Sequence, residues 1–361
     1  MSDQYPPPGE QPPGGYYPPP GDAPAPATPY GYPGAPAPGF FPAQPMAAHK
    51  PGAIPLRPLG LGDIFDAAFK IIRFNPKATV GSSVIVTSVA MLIPVIITAV
   101  ISLTVGISAS TLDQTGTPDL TDLAGILGAY GALVLGMVLS GIGQLMVTGM
   151  NAHVALAAAT GRKLGLGEAW VATHGKRWRL IGLTAMIFLA TVLLLTAAVL
   201  FLVLVVWQLS TATAVVTSVL AIPALICLVI WLWIRVAYLA VPPLMLEPIG
   251  VFAAFGRAFR LTRAQFWRTF GIALLTTVVA QIAGSILQTP VAVIGQIFLV
   301  SDPHGQGVFI FILANAVGSV IAAAVISPFV TTVTSLQYLD QRIRKEAFDL
   351  ELMARAGILA S

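Results

Sequence analysis

From about Thr79 onward, apolar residues run on for longer than any soluble helix would need. Six runs reach the roughly 20 residues a helix needs to cross the hydrocarbon of a bilayer. They cover approximately 79–106, 123–150, 179–206, 212–240, 269–297 and 308–337. Pro94, Pro223, Pro290 and Pro328 fall inside them, and membrane helices tolerate such kinks where neighbours satisfy the freed carbonyls. Shorter stretches between the runs mix aromatics and cations at helical spacing. Phe65, Phe69 and Ile72 stand at i, i+4 and i+7, with Lys70 and Arg73 toward the other side, and Phe255, Phe259 and Thr262 repeat the spacing. A short helix of that kind lies in the headgroup plane. The pattern predicts an all-α polytopic membrane protein with six transmembrane helices.

The amphipathic stretches resemble one another. PLGLGDIFDAAFKIIRFNPKATVG, from Pro58 to Gly81, aligns without gaps on PIGVFAAFGRAFRLTRAQFWRTFG, from Pro248 to Gly271. Lys70 and Arg73 meet Arg260 and Arg263, and Phe65 meets Phe255. A shorter copy, LGLGEAWVATHGKRWRLIG, precedes the third run and repeats the opening of Leu59–Asp63. Three parallel repeats of interfacial helix plus hairpin would result, related by an axis near the membrane normal.

Residues up to about Pro51 are different. They hold more than half of the 29 prolines and five of the eight tyrosines, in runs such as GGYYPPPG. Pro and Gly supply nothing for a core, so the expectation is a disordered, partly polyproline II tail over 1–53. It lacks the basic start and apolar core of a signal peptide. It serves either as a solubilising spacer or as a docking arm for protein partners, with no Arg-flanked Pro-x-x-Pro to specify one. A six-helix domain over 54–345 and a short C-terminal tail over 346–361 complete the chain.

Composition agrees. Hydrophobic residues make up 56% and charged residues 9% of the 361, against roughly 25% charged in a soluble domain. Mean hydropathy is +0.83. The net charge of +4 does not point to nucleic acid, because the cations have a topological pattern. All 19 Lys and Arg precede the first run, flank the second and fourth connections, or follow the last run. The positive-inside rule puts both termini in the cytoplasm, in a plasma-membrane protein whose basic side meets anionic lipid.

Candidate chemistry is sparse. The single cysteine, Cys227, excludes a disulfide framework. No cofactor or metal motif is present; Asp113, Asp119 and Asp122 read as a solvated loop. Small residues recur every fourth position at Ala124, Gly128, Ala132, Gly136 and Ser140, a ridge for close helix packing, with Gln144 and Thr148 extending it. Gln144, Asn151, Gln281, Gln288 and Asn315 are the main polar groups in the runs, and none is charged. Glu247, between two prolines in VPPLMLEPIG, is placed to accept from backbone N–H groups or to pair with a nearby Arg. A catalytic carboxylate would want a second acid or a metal, and nothing nearby supplies one.

The stretch RVAYLAVPPLMLEPIGVFAAFGRAFRLTRAQFWRTFGIALL, from Arg235 to Leu275, resembles the family called the glycerophosphoryl diester phosphodiesterase membrane domain. Pro242, Pro243, Glu247, Arg257, Arg263, Trp267 and Arg268 fit its pattern, although the centre reads FGRAFR where a Ser is common. RPLGLGDIFDAAFKIIR resembles the family's usual start, and the layout is similar to proline- and glycine-rich transmembrane proteins of mycobacteria and other actinobacteria. Hydrolysis in the family's namesakes belongs to a separate soluble barrel, and Asp340–Ser361 is too short for one. The resemblance therefore implies the membrane module without the catalyst.

Two functions are expected from different classes. The first is a non-enzymatic membrane protein that organises lipid or recruits partners through its basic face. The alternative is a transporter or lipid translocator, which requires a cavity lined by Gln144, Gln281 or Asn315.

Overall fold

The computed structural model describes residues 52, 54–105, 120–208, 210–302 and 306–355. The chain divides into Met1–Ala47 and Ala48–Ser361, and every described helix belongs to the second unit. The tail, apart from Gly52 near its end, and the loop aspartates Asp113 and Asp119 lie outside the described residues. Among the described residues the chain is 88% helical with no strand, and six helices are long and apolar enough to cross a membrane. The coarse architecture is that of a multi-pass membrane protein.

The first connection-side helix, α1 (Leu61–Phe74), starts at Gly60 in extended backbone, where Asp63 Oδ2 accepts the Gly60 N–H at 3.0 Å. The acid thereby satisfies one of the donors a helix start leaves orphaned. Pro76 opens α2 (Pro76–Val105), where its missing N–H costs nothing. Helix α3 (Leu120–Ala159) leads into a turn that needs Gly161, at φ +78°. Helix α4 (Leu166–Ala172) copies the opening of α1: Glu168 Oε2 accepts the Gly165 N–H at 2.8 Å.

Helices α5 (Arg177–Gln208) and α6 (Thr211–Leu232) form the next hairpin. A π-helical turn, Trp233–Ala237, then leads to α7 (Val241–Leu246) with its two prolines in the first turn, and on to α8 (Val251–Thr262), capped by Gly250. The last long pair is α9 (Phe266–Ser301) and α10 (Gln306–Glu346), trailed by α11 (Phe348–Arg355). Several helices overrun the sequence runs because polar end turns continue them; α10 carries on through Asp340 and Arg344.

Helix α10 is the hub, packing on α1, α2, α3, α8 and α9. One continuous core, from Ile54 through Leu180 and Leu244 to Leu352, draws on every connection-side helix. It sits at the end of the bundle where the cations are.

The expected interfacial face of α1 needs revision. Its protein-facing side is the small-residue stripe Ile64, Ala67, Ala68 and Ile71, all buried, while Phe69 is exposed. Phe65 and Phe69 lie outside that stripe and stack on Phe329 of α10. Small side chains let α1 lie flat on the bundle, which turns the aromatics toward its rim. Helix α8 does the same with Ala254 and Ala258 inside and Phe252 outside.

The small-residue ridge of α3 is observed only in part. A Cβ at Gly136 would sit 3.3 Å from Pro94, so this glycine does admit the kinked α2. Two glycines off the line, Gly143 and Gly149, make closer approaches, at 3.1 Å to Val86 and 3.1 Å to Met245. Ser140 is half-buried, and the surroundings of Ala124, Gly128 and Ala132 lie outside the described residues.

Candidate functional site

Most of the bundle's internal charge collects at its cation-bearing end, around two carboxylates. Glu247 Oε1 accepts from Arg257 Nε and Nη2 at 3.0 and 2.9 Å, and from the Tyr338 hydroxyl at 2.6 Å. Arg257 also pairs with Glu346, which in turn accepts Arg342 Nε at 3.0 Å. Lys176 Nζ donates to the Met245 and Glu247 carbonyls at 2.6 and 2.9 Å, closing the last turn of α7. Burial, the Arg179 charge and, in opposition, Glu247 combine to lower the Lys176 pKa. Burial would also lower Arg257, but its bonds to Glu346 and Glu247 outweigh that and raise it above the ordinary arginine value.

The second carboxylate, Asp340, is fully buried. It accepts the Leu59 N–H at 2.8 Å and Arg344 Nε at 3.0 Å, and it pairs with Arg268. Both guanidinium groups then reach over to the Leu59 carbonyl, at 2.6 and 2.7 Å. A buried charge with every lone pair engaged is tolerable, whereas an unpaired one is not. The cluster ties together the start of α1, the start of α9 and the end of α10.

These contacts relocate several residues read as interfacial anchors. Arg257 and Arg268 have side chains only 19% and 27% exposed; they face inward because α10 brings Glu346 and Asp340 to meet them. Lys70 pairs with Asp66 one turn earlier on α1. Arg73, Arg260, Arg263 and Trp267 do remain exposed. The expectation of a structural Glu247 paired with an Arg fits the geometry. Asp340, Tyr338 and Glu346 were not singled out by their sequence context. The only available signal was the spacing of Asp340 and Arg344, one helical turn apart at the end of an apolar run.

Polar groups within the spans divide into two sets. Asn151 donates to Thr331, Gln337 donates to Tyr238 at 2.8 Å, and Asn315 donates to its own helix at 2.9 Å. These are local or interhelical ties. Gln144, Gln281 and Gln288 instead line an open cavity of about 640 Å³ between α3, α9 and α10, with Gln281 at its exposed rim. Ser327 donates to Gln144 Oε1 at 3.0 Å. A second cavity, about 490 Å³, opens between α3, α5, α9 and α10 beside Trp233 and Phe188. Gln144 and Val330 line both. Among the described residues no three His, Cys, Asp or Glu side chains gather as metal ligands.

No family model matches the chain, and neither the curated proteins nor the solved structures contain a match.

Proposed function

We propose that the chain is a non-enzymatic plasma-membrane protein, with both termini cytoplasmic, that gathers anionic lipid around its cation-bearing end. The observation that carries this is the division of the cations. Arg257, Arg268, Arg342, Arg344, Lys176 and Lys345 face inward and are met by Glu247, Glu346, Asp340 or backbone carbonyls, while Arg235 lies among the rings of Trp231, Phe259 and Phe266. Arg73, Lys77, Arg162, Lys163, Arg260 and Arg263 are left exposed, and so are the rings of Trp178, Phe252 and Trp267. Exposed cations and exposed aromatics both suit a headgroup layer, where each cation contributes about 1 kcal/mol toward an acidic leaflet. Glu247 is occupied by three donors, which suits a structural carboxylate better than a general base.

Reversing Arg260 and Arg263 to Glu, while leaving the inward-facing Arg257 intact, tests the proposal. Phosphatidylglycerol retained by the purified protein should fall at least tenfold relative to phosphatidylcholine. Undiminished retention would overturn it.

The finer architecture belongs to the same proposal. Gly60, Gly165 and Gly250 each cap a connection-side helix in extended backbone, at φ −78°, −74° and −86°. That supports three parallel repeats, the middle helix cut to 7 residues. The Glu247–Arg257 pair would give a structural reason for the proposed membership of the phosphodiesterase membrane-domain family.

A second reading, translocation of a lipid or other small molecule, is favoured by one observation. An open groove between α3, α9 and α10 with Gln144 and Gln281 in its wall supports it, although Asn315 is turned onto its own helix instead. Flux across proteoliposomes that is abolished by Gln281→Leu would support it, and flux equal to that of empty vesicles would exclude it.

A further inference from the structure

The two cavities that meet at Gln144 have opposite chemistry. Six threonines line the smaller one: Thr148, Thr184, Thr191, Thr276, Thr277 and Thr334. Each hydroxyl donates to the carbonyl four residues earlier on its own helix, at distances between 2.7 and 3.0 Å. A hydroxyl engaged in that way has its proton committed, so these threonines offer a ligand their γ-methyls and no hydrogen-bond donor. With Phe188, Val241 and Trp233 beside them, the threonines make a hydrocarbon surface out of residues that count as polar in the sequence.

The larger cavity reverses this. The side-chain amides of Gln281 and Gln288 have no hydrogen-bond partner among the described residues, and both lie near the middle of α9. An amide left unengaged at that depth is costly in hydrocarbon, and a hydrogen-bonding occupant removes the cost. None of the residues lining either cavity is charged. A phosphate or carboxylate there would be desolvated without a counter-ion, so the lining selects against anions. Both volumes fall in the roughly 300–1,000 Å³ range of small-molecule sites.

We propose that the two cavities form one binding site for a neutral amphipathic molecule. Its uncharged, hydroxyl-bearing head hydrogen-bonds the Gln281 and Gln288 amides, and its hydrocarbon tail lies against the threonine methyls beyond Gln144. This deepens the translocation reading and rests on the same cavity, but it requires binding alone and not flux. It is separate from the anionic lipid gathered at the cation-bearing end.

The test uses the full chain in phosphatidylcholine nanodiscs, with a glucosyl diacylglycerol carrying a diazirine in its acyl chain. A phosphatidylglycerol with the same photoreactive chain is the comparison. The glucosyl probe should label peptides containing Thr184 and Thr276–Thr277, and excess unlabelled glucosyl diacylglycerol should remove that label while phosphatidylglycerol does not. Gln281→Leu combined with Gln288→Leu should weaken the labelling about tenfold, the effect of two ordinary hydrogen bonds. Equal labelling of those peptides by the anionic probe, or competition by phosphatidylglycerol in the unaltered protein, would overturn the proposal whether or not the glutamine variant folds. Specific labelling without flux would sink translocation and leave the site standing. Flux of anionic lipid without glucosyl labelling would do the reverse.

Discussion

The α5–α6 hairpin and helices α3 and α9 are built from similar-looking apolar runs, yet they stand at opposite limits of burial. The most apolar candidate span, Arg177–Gln208, has 6% of its apolar 18-residue stretch buried within the protein, and the corresponding stretch of Thr211–Leu246 has none. The least apolar, Val134–Ala159, has the most, 33%. In water the order would be reversed, because apolar area is what folding removes from solvent. In a bilayer, lipid solvates Leu and Val as well as another helix does. Association falls to small residues, hydrogen bonds and close packing. The difference teaches that, in this chain, protein–protein contact follows the polar and small residues rather than the greasy ones.

The sharpest way to break the comparison is to remove a polar tie from the packed side. Asp340→Ala leaves Arg268, Arg344 and the Leu59 N–H without their shared acceptor, and should cost about 3–5 kcal/mol. Thermal unfolding in detergent would measure it, and Asp340→Asn should recover part of the loss.

A test within a single helix comes next. Leu183, fully buried near the start of α5, should lose about 2 kcal/mol or more on substitution by Ala. Leu195, 53% exposed on the same helix, should lose under about 0.5 kcal/mol. Equal losses would mean that the hairpin packs on something along its whole length. Tyr338→Phe removes one donor from Glu247 while keeping the ring, for about 1.5 kcal/mol. The same unfolding assay reads it.

The smallest expected effect depends on pH. Burial and Arg179 lower the Lys176 pKa in the folded state below its ordinary 10.5. Between the lowered value and 10.5 the unfolded chain holds more protons, so this group's contribution makes stability rise with pH in that window. Comparing unfolding temperatures of the wild type and Lys176→Met across that window isolates the slope, which should be shallower in the variant.

Much of the coarse design is legible in the sequence, because spanning length and charge placement depend on the solvent rather than on neighbours. The six runs are visible without knowing any contact. The acid three residues after Gly60 and after Gly165 marks two helix starts for a purely local reason, the orphaned N–H. Asp340 could not be placed in the same way. Two of its partners, Leu59 and Arg268, lie 281 and 72 residues away in the sequence, and only the packing of α10 against α1 and α9 brings them together. The threonines of the smaller cavity were hidden for a different reason. Their letters read as polar, and only the direction of each hydroxyl shows them behaving as aliphatic side chains.

The position of Asp340 in the chain also bears on the order of assembly. A growing polypeptide emerges from its N-terminal side, so Leu59 and Arg268 are made before the carboxylate that joins them, and Tyr338 comes after Glu247 in the same way. Until the sixth span has been delivered, the first and fifth have no shared clasp. The earlier spans must therefore wait in the bilayer without this tie, and the last span to be synthesised is the one that joins them through it.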